Sequence, residues 1–594
     1  MSTIRDGIAA SPGIAIGVAR VLRADVPAVP HGVFVAAEDV EGEVERFLAA
    51  RDHTRERLRV LQKETAERVG AVEARIFEPQ ILMLEDSELI DGTIAYIREN
   101  RLPAERAFEL RVLEWEARWS HSAHPMLLDR LNDLADVEGR LIRELLGLPE
   151  PDPTPVAPGE RVILVARDLT PSMTVQLDPD RVVGIATDAG TRTSHSAILA
   201  RSRGIPAVVS LTDLSEHVRT GDELILDGRA GRVVVSPSDA EKAAYRERDF
   251  RTREWEQELL LLAHLDAITR DGVAVALRAN LDLPSEAGGA RAHGAEGVGL
   301  FRTEFLVVGR NTFPDEEEQY EAYRHVLTTF AGQPVIVRTY DLGGDKFPAF
   351  LNMPAEENPY LGWRAIRVSL DHPEMFRSQL RPLLRAAVHG DLRIMIPMVN
   401  EVAEITATRA LIDESLAELR RAGLEAPESY QLGIMVETPA AAIAAPELAR
   451  HADFFSIGSN DLVQYTLAVD RGNSRLARRY NPFHPSVVRL LHRIVRAGHE
   501  AGLEVSVCGE LAGTPLGAFM LIGMGIDSLS VGPAALAEVK KVIRSVRRED
   551  AARGVAVALG ATTADEVVDA LEAELGEVLD LDLFTGSWRL SRPA

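Results

Sequence analysis

The chain has 594 residues, enough for about three or four domains with cores of their own, and its 46% hydrophobic and 26% charged content is that of a globular protein. With 66 basic against 91 acidic side chains the net charge is −25, a field that argues against nucleic acid or an anionic membrane surface and favours a basic protein as partner. One cysteine excludes an intramolecular disulfide, no apolar run reaches membrane-spanning length, and Met1–Arg5 carries no signal-peptide pattern; the expectation is a cytoplasmic protein with no membrane insertion.

Residues 7–23, short apolar stretches around Pro12-Gly13, read as a β-hairpin or strand pair. From about 37 to 147 the pattern turns helical, with Val44, Phe47, Leu48, Leu58, Leu61, Ile76, Leu82 and Leu84 at roughly helical spacing; this predicts an inserted bundle of antiparallel helices. Ile81, Met83 and Leu84, edged by Glu85 and Asp86, are read as an exposed stripe able to dock a partner. Five prolines between Pro149 and Pro158 end the helices. Strand-like runs follow at Val162–Ala166, Val182–Thr187, Ala207–Leu211, Glu223–Leu226 and Val233–Val235, a small α/β domain that the N-terminal strands complete, and 238–265 reads as one connecting helix.

Within that α/β domain, Val182–Thr187 runs into a turn at Asp188-Ala189-Gly190, and Thr193 or Ser194 caps a helix that Gly204 and Pro206 stop. His195 then falls in the first helical turn, beside backbone N–H groups at the positive end of the dipole, where a neutral imidazole can accept a phosphoryl group. The bland alternative is a capping histidine without chemistry.

From 272 onward, eight apolar runs alternate with helical stretches: Val273–Leu277, Gly297–Phe301, Val335–Arg338, Leu392–Pro397, Leu432–Val436, Phe454–Ile457, Glu504–Val507 and Ser528–Val531. Eight strand–helix units over about 300 residues predict a (β/α)8 barrel with its active site at the C-terminal strand ends. Those ends carry Arg302-Thr303-Glu304, Arg338 through Asp341, Glu437, Asn460-Asp461 and Cys508-Gly509-Glu510, with Arg471 following the sixth strand. Glu437 and Asp461 suit Mg2+, which takes one or two carboxylates and leaves its other positions to water and phosphate. The arginines present planar forks to phosphate or carboxylate. Cys508 is either a small buried hydrophobe or a thiol able to protonate a carbanion-like carbon. The ring fits a small, multiply anionic phosphate ester.

Ala10–Gly17, Asp188–His195, Gly297–Phe305, Val337–Lys346, Asn358–Arg367, Val436–Pro439, Ser456–Asp461 and Val507–Leu511, in order and in register from about residue 7 to 545, together resemble the Enzyme I family. These are the phosphoenolpyruvate–protein phosphotransferases of the bacterial sugar phosphotransferase system. The resemblance implies a multidomain α/β protein. A swivelling phosphohistidine domain spans 1–30 and 149–237, with a helical domain at 31–148 that docks the phosphocarrier protein HPr. A linker helix at 238–268 leads to a (β/α)8 barrel at 269–594 that binds phosphoenolpyruvate and forms a homodimer.

Residue by residue, the resemblance implies that His195 is phosphorylated on Nε2 and that Thr174 orients it. It gives Arg302, Arg338, Arg364, Asn460 and Arg471 to phosphoenolpyruvate, Glu437 and Asp461 to Mg2+, and Cys508 as proton donor to the enolate carbon, with pyruvate as product. The phosphohistidine domain would then swing onto the barrel and away to HPr. Two departures stand out: Thr191 replaces a glycine usual before Arg192, and Ala135–Leu146 is about three residues short of the usual pattern. Dikinase and synthase relatives that share these parts need an ATP-binding domain, for which the chain has no room. Residues 1–36 are too few for the sensory domain of a nitrogen-branch paralogue. A catalytically silent scaffold is the remaining alternative. The last fifty residues carry no motif and read as helices.

Overall fold

The computed structural model describes the chain except residues 1, 23–26, 69–73, 75–76, 121–124, 150–160, 170–172, 174–176, 178–180, 191–196, 198–199, 202–203, 308–309, 311, 344–355, 357, 472 and 585–594. Thr174, His195 and the cap at Thr193 or Ser194 lie outside the described residues. The chain divides into two units, Met1–Arg251 and Thr252–Ala594.

In the first unit, unbroken apolar runs, whose successive side chains point to opposite faces, build a sheet buried on both faces. The strand Val162–Ala166 is buried throughout; Val162, Leu164 and Ala166 enter one core while Ile163 and Val165 enter the other. The sheet has eight strands: β1 (Thr3–Asp6), β2 (Ile8–Ser11), β3 (Ile14–Leu22), β4 (Val162–Ala166), β5 (Val182–Thr187), β6 (Ala207–Val209), β7 (Glu223–Asp227) and β8 (Arg232–Val235). Their order is β1-β8-β7-β3-β4-β5-β6-β2, with β3 to β6 parallel. The hairpin expected over residues 7–23 is therefore absent: β2 pairs with β6 and β3 with β4 and β7. The close Pro12-Gly13 turn sends the chain across the sheet, because the apolar partners that bury these strands come from 162–226.

Beyond β5, the Asp188 carboxylate accepts from the backbone N–H of Ser215 at 3.1 Å and from its hydroxyl, and Gly190 takes a φ of +110°. That left-handed turn, open to glycine, leads straight into the segment that carries His195.

Between β3 and β4 stand the helices Val40–Arg68, Glu78–Glu85, Ser87–Asn100, Ala104–Ser120 and Pro125–Leu146. Phe47, Leu58, Phe77, Phe108, Val112 and Leu141 form their core. The stripe expected to be exposed is not. Ile81, Met83 and Leu84 are buried in that core, and Leu82 is the large apolar side chain of this short helix that faces solvent, 62% exposed. Helical periodicity at 81, 84 and 77 points inward, so the stripe is core rather than a docking surface.

The second unit is a closed parallel barrel of β9 (Ala276–Leu281), β10 (Val298–Arg302), β11 (Pro334–Arg338), β12 (Asp391–Ile396), β13 (Gln431–Val436), β14 (Phe454–Ile457), β15 (Glu504–Val507) and β16 (Ser528–Val531). The first strand begins three residues later than the expected Val273–Leu277, because Ala274 is taken up in an antiparallel bridge with Ile268 ahead of it. Inside the barrel Leu300, Ile336, Met395, Met435, Phe454 and Cys508 pack together. At the strand starts Glu504 holds Arg278 at 2.6 Å and Arg393 at 2.8 Å. The closing residues form helices Arg548–Gly560 and Ala564–Leu575, and Asp239–Leu262 is one continuous helix. Among the described residues no helix is long and apolar enough to cross a membrane.

Glu138 on the helix Pro125–Leu146 is 7% exposed, and burial, joined by the charges of Glu116 and Glu109, pushes its carboxyl up to about 7 from 4.5. A folded pKa above the unfolded one leaves the bundle unpenalised at low pH and costs it stability as pH rises from 4.5 to about 7. Glu138→Gln should therefore raise the unfolding free energy of the helical region by up to about 3 kcal/mol near pH 8 and by little near pH 4. Urea unfolding followed by helical circular dichroism at the two pH values checks this, and an equal gain at both would refute it.

Candidate active site

Strand register brings the site residues together. Arg302 and Arg338 are paired neighbours at the ends of β10 and β11, Val436 pairs with Ile457, and Ile457 with Val507. The residues that follow, Glu437, Gly458 through Asp461, and Cys508, then emerge side by side. A cavity of about 240 Å³ at these strand ends is lined by Arg302, Arg338, Arg364, Glu437, Asn460, Asp461, Arg471 and Cys508. Eight of the ten residues singled out in the sequence share this one cavity.

Six buried ionisable groups form its floor. Arg338 donates to Glu304 and lies 3.2 Å from Asp341. Arg364 donates to both Asp341 oxygens at 2.9 and 3.0 Å and to Asp461 at 3.3 Å. Its remaining edge donates to Tyr465 Oη at 2.9 Å, and that hydroxyl donates to the carbonyl of Tyr360. Glu437 Oε1 accepts the backbone N–H of Met398 at 2.7 Å. Glu304 and Asp341 were visible at the strand ends, but nothing in the sequence said that they hold the arginines; only burial reveals that. Tyr465 and Met398 carried no signal at all.

Two non-glycine residues beside these groups adopt left-handed φ: Met398 at +59°, presenting its N–H to Glu437, and Ala365 at +55°, next to Arg364. Such backbone costs of order 1–3 kcal/mol each and persists where its surroundings fix it, typically at functional sites.

The floor carries two guanidinium groups against four carboxylates (Glu304, Asp341, Glu437 and Asp461), all at most 7% exposed. Burial raises the pKa of Glu437 above its ordinary range, and the charges of Asp461 and Asp341 add to the effect more than Arg338 and Arg364 relieve it. Asp461 Oδ1 is buried without a hydrogen-bond partner. Two more carboxyl groups than guanidinium groups, with an orphaned carboxylate oxygen, fit a divalent cation, whose charge would favour the ionised form of Glu437. Among the described residues no group of three or more His, Cys, Asp or Glu is gathered for a metal. Mg2+, however, is commonly held by one or two carboxylates, with water and substrate completing its shell. Asp461 also sits in the first turn of the helix Ser459–Leu467, where the dipole favours a negative group.

Around this floor, Arg302 donates to Asp282 at 2.8 Å and remains partly open to solvent. Asn460 is held at both ends of its amide by Glu510, donating to its carboxylate at 3.1 Å and accepting its backbone N–H at 2.9 Å. Arg471 is exposed at the rim, its backbone N–H bound to Gln464 at 3.1 Å. Cys508 is 2% exposed with its Sγ 3.7 Å from the carbonyl of Ile457, and burial pushes its thiol up, so that it keeps its proton at neutral pH. Fold and cavity together define a barrel enzyme for a small, multiply charged anion.

Three family models match the chain: "PEP-utilising enzyme, N-terminal" over residues 6–130, the mobile domain of the same enzymes over 158–231, and their PEP-binding domain over 256–548. Phosphoenolpyruvate-protein phosphotransferase of Geobacillus stearothermophilus is 41% identical over 562 residues, covering 95% of this chain and 96% of the relative. That of Haemophilus influenzae is 41% identical over 571 residues, covering 96% and 99%, and that of Listeria monocytogenes 40% over 577 residues, with the same coverage. The chain belongs to the phosphoenolpyruvate–protein phosphotransferase family.

Gly458 tests the geometry. A Cβ there would lie 2.7 Å from Glu437 Oε2 and 2.8 Å from Glu437 Cβ. Gly458→Ala should displace the carboxylate and weaken Mn2+ binding, read by electron paramagnetic resonance, by about 10- to 100-fold. The melting temperature should stay within a few degrees; unchanged affinity would refute the role of this close approach.

Proposed function

We propose that the chain transfers the phosphoryl group of phosphoenolpyruvate to its own His195 and from there to a histidine of the phosphocarrier protein HPr, releasing pyruvate. The observation that carries this reading is the single cavity at the barrel's strand ends, where arginines, an acidic pair and a protonated thiol converge. It is supported by relatives that bear the name of this activity along nearly their whole length.

In this reading Arg302, Arg338, Arg364 and Arg471, with the Asn460 amide, clamp the phosphate and carboxylate of the substrate. Preorganisation matters most here: Arg338 and Arg364 are already held by buried carboxylates, so binding costs little side-chain reordering. Glu437 and Asp461 would hold Mg2+, which when bound neutralises charge on the phosphate and the leaving enolate oxygen. His195 Nε2, oriented by Thr174, attacks phosphorus; the N–P bond forms as the P–O bond to the enolate breaks. Cys508 gives its proton to the enolate carbon, yielding pyruvate, and recovers one from solvent. Raising the thiol pKa by burial keeps that proton in place until a strong carbon base appears.

The finer parts of the same reading are a cytoplasmic location, a homodimer formed through the barrel, and docking of HPr on the helical domain. Charge agrees with the last: a chain of −25 steers a basic carrier toward it.

Intact-mass spectrometry after mixing with phosphoenolpyruvate and Mg2+ should show one added phosphoryl group of about 80 Da, with an equivalent of pyruvate. Both should be lost in His195→Ala, and the label should pass to HPr in the unsubstituted protein. No adduct would overturn the proposal. Cys508→Ser should slow pyruvate release by about 10²- to 10⁴-fold and leave transfer from the phosphorylated protein to HPr unchanged. Slowing of both steps alike would remove the thiol from the role of proton donor.

A further inference from the structure

Beneath the cavity lies a buried polar staple that the chemistry above does not use. Gln379 belongs to the helix Pro373–Ala386 on the outside of the barrel, is fully buried, and is absent from the cavity wall. Its Nε2 donates to Thr303 Oγ1 at 2.9 Å, and its Oε1 accepts the backbone N–H of Tyr340 at 3.1 Å. Thr303 Oγ1 in turn donates to the carbonyl of Arg338 at 2.7 Å. A ring of three hydrogen bonds therefore joins the residue after Arg302 to the residues on either side of Thr339. Gln379 is the amide that closes it.

Few groups could do this. A primary amide donates from one end and accepts at the other in one plane, and both strand ends offer it complementary backbone and hydroxyl groups. The amide is backed by a second one. Gln319, also fully buried, accepts from Tyr340 Oη at 2.9 Å and Tyr323 Oη at 3.1 Å, and donates to the carbonyls of Pro314 and Ser378. The ring has no slack: shifting β10 against β11 breaks at least one buried hydrogen bond, each costing about 1–3 kcal/mol to leave unmade.

We propose that Gln379 is a positioning residue for phosphoenolpyruvate, setting the spacing of Arg302 and Arg338 by locking the strand ends that carry them. This rests on the function proposed above. Arg302 and Arg338 face each other in register, so a small relative slide of the strands changes the separation of the two guanidinium groups that meet the substrate. Gln379 acts through the backbone and touches no reacting atom.

The test compares Gln379→Met, close in volume but unable to donate or accept as the amide does, with Leu383→Ala, a cavity made at a fully buried apolar position on the same helix. Gln379→Met should raise KM for phosphoenolpyruvate and lower kcat/KM for pyruvate release by about 10- to 100-fold. Transfer from the phosphorylated chain to HPr, which does not use the barrel, should keep its rate. Leu383→Ala should lower the melting temperature at least as much and leave KM within about twofold. Thr303→Val removes the same link from the other side. The double variant with Gln379→Met should be no worse than the poorer single one, and Thr303→Val alone stands in if Gln379→Met fails to fold. Unchanged KM in Gln379→Met or Thr303→Val, an equal rise in Leu383→Ala, or additive losses in the double variant would overturn the proposal. Absence of pyruvate release from the unsubstituted protein would instead overturn the proposed function.

Discussion

The constraint on which the barrel's C-terminal face depends is the burial of two guanidinium groups among four carboxylates. Isolated charges at this depth would each cost several kcal/mol, and a buried pair breaks even only when its remaining donors and acceptors are also satisfied. Here the charges are linked in a chain: Glu304 to Arg338, Arg338 to Asp341, Asp341 to Arg364, and Arg364 to Asp461 and Tyr465, with Arg338 Nε and Asp461 Oδ1 left without a hydrogen-bond partner. What the chain leaves over in the cavity wall is the Glu437 carboxyl, held by a backbone N–H, and the unpartnered Oδ1 of Asp461. Such an arrangement is poorly optimised for the empty protein and well optimised for receiving a cation and an anion together. Its cost is local and is borne by a barrel whose apolar core is extensive.

Holding that chain taut falls to the backbone rather than to more charges. Left-handed φ at Met398 and Ala365 turns an N–H toward Glu437 and sets the exit of the chain after Arg364. Gly458 leaves out a side chain where Glu437 needs the room. Buried amides from the outer helices reach between strands to fix their ends. Strand ends in a barrel are natural sites for catalysis because the strands below are rigid; here the helices behind them also contribute to that rigidity.

Much of the architecture was legible because its signals are local. Continuous apolar runs marked β4 and β5 to the residue, and β14, β15 and β16 likewise, since a short apolar run bounded by turn residues suits a strand buried on both faces. The failures are equally physical. The Pro12-Gly13 turn looked like a hairpin because sequence proximity suggests pairing, whereas partners are chosen by burial, and the buried partners came from more than 140 residues away. Ile81, Met83 and Leu84 looked exposed because a short apolar helix does not announce which neighbours cover it.

By itself the sequence determined which residue types stand at the strand ends, and the motif series gave their chemistry: arginines, a carboxylate pair, a thiol, and a histidine after a glycine turn. Only the tertiary structure decided which of those charges neutralise one another. Glu304 and Asp341 turned out to be supports for arginines, whereas Glu437 is held by a backbone N–H and Asp461 shares Arg364 with Asp341 and keeps one oxygen unpartnered. Gln379, Tyr465 and Met398 entered the site's support without any signal of their own. The reason is that residue type and spacing are properties of the chain, whereas desolvation and hydrogen-bond satisfaction exist only once segments distant in sequence have been packed together.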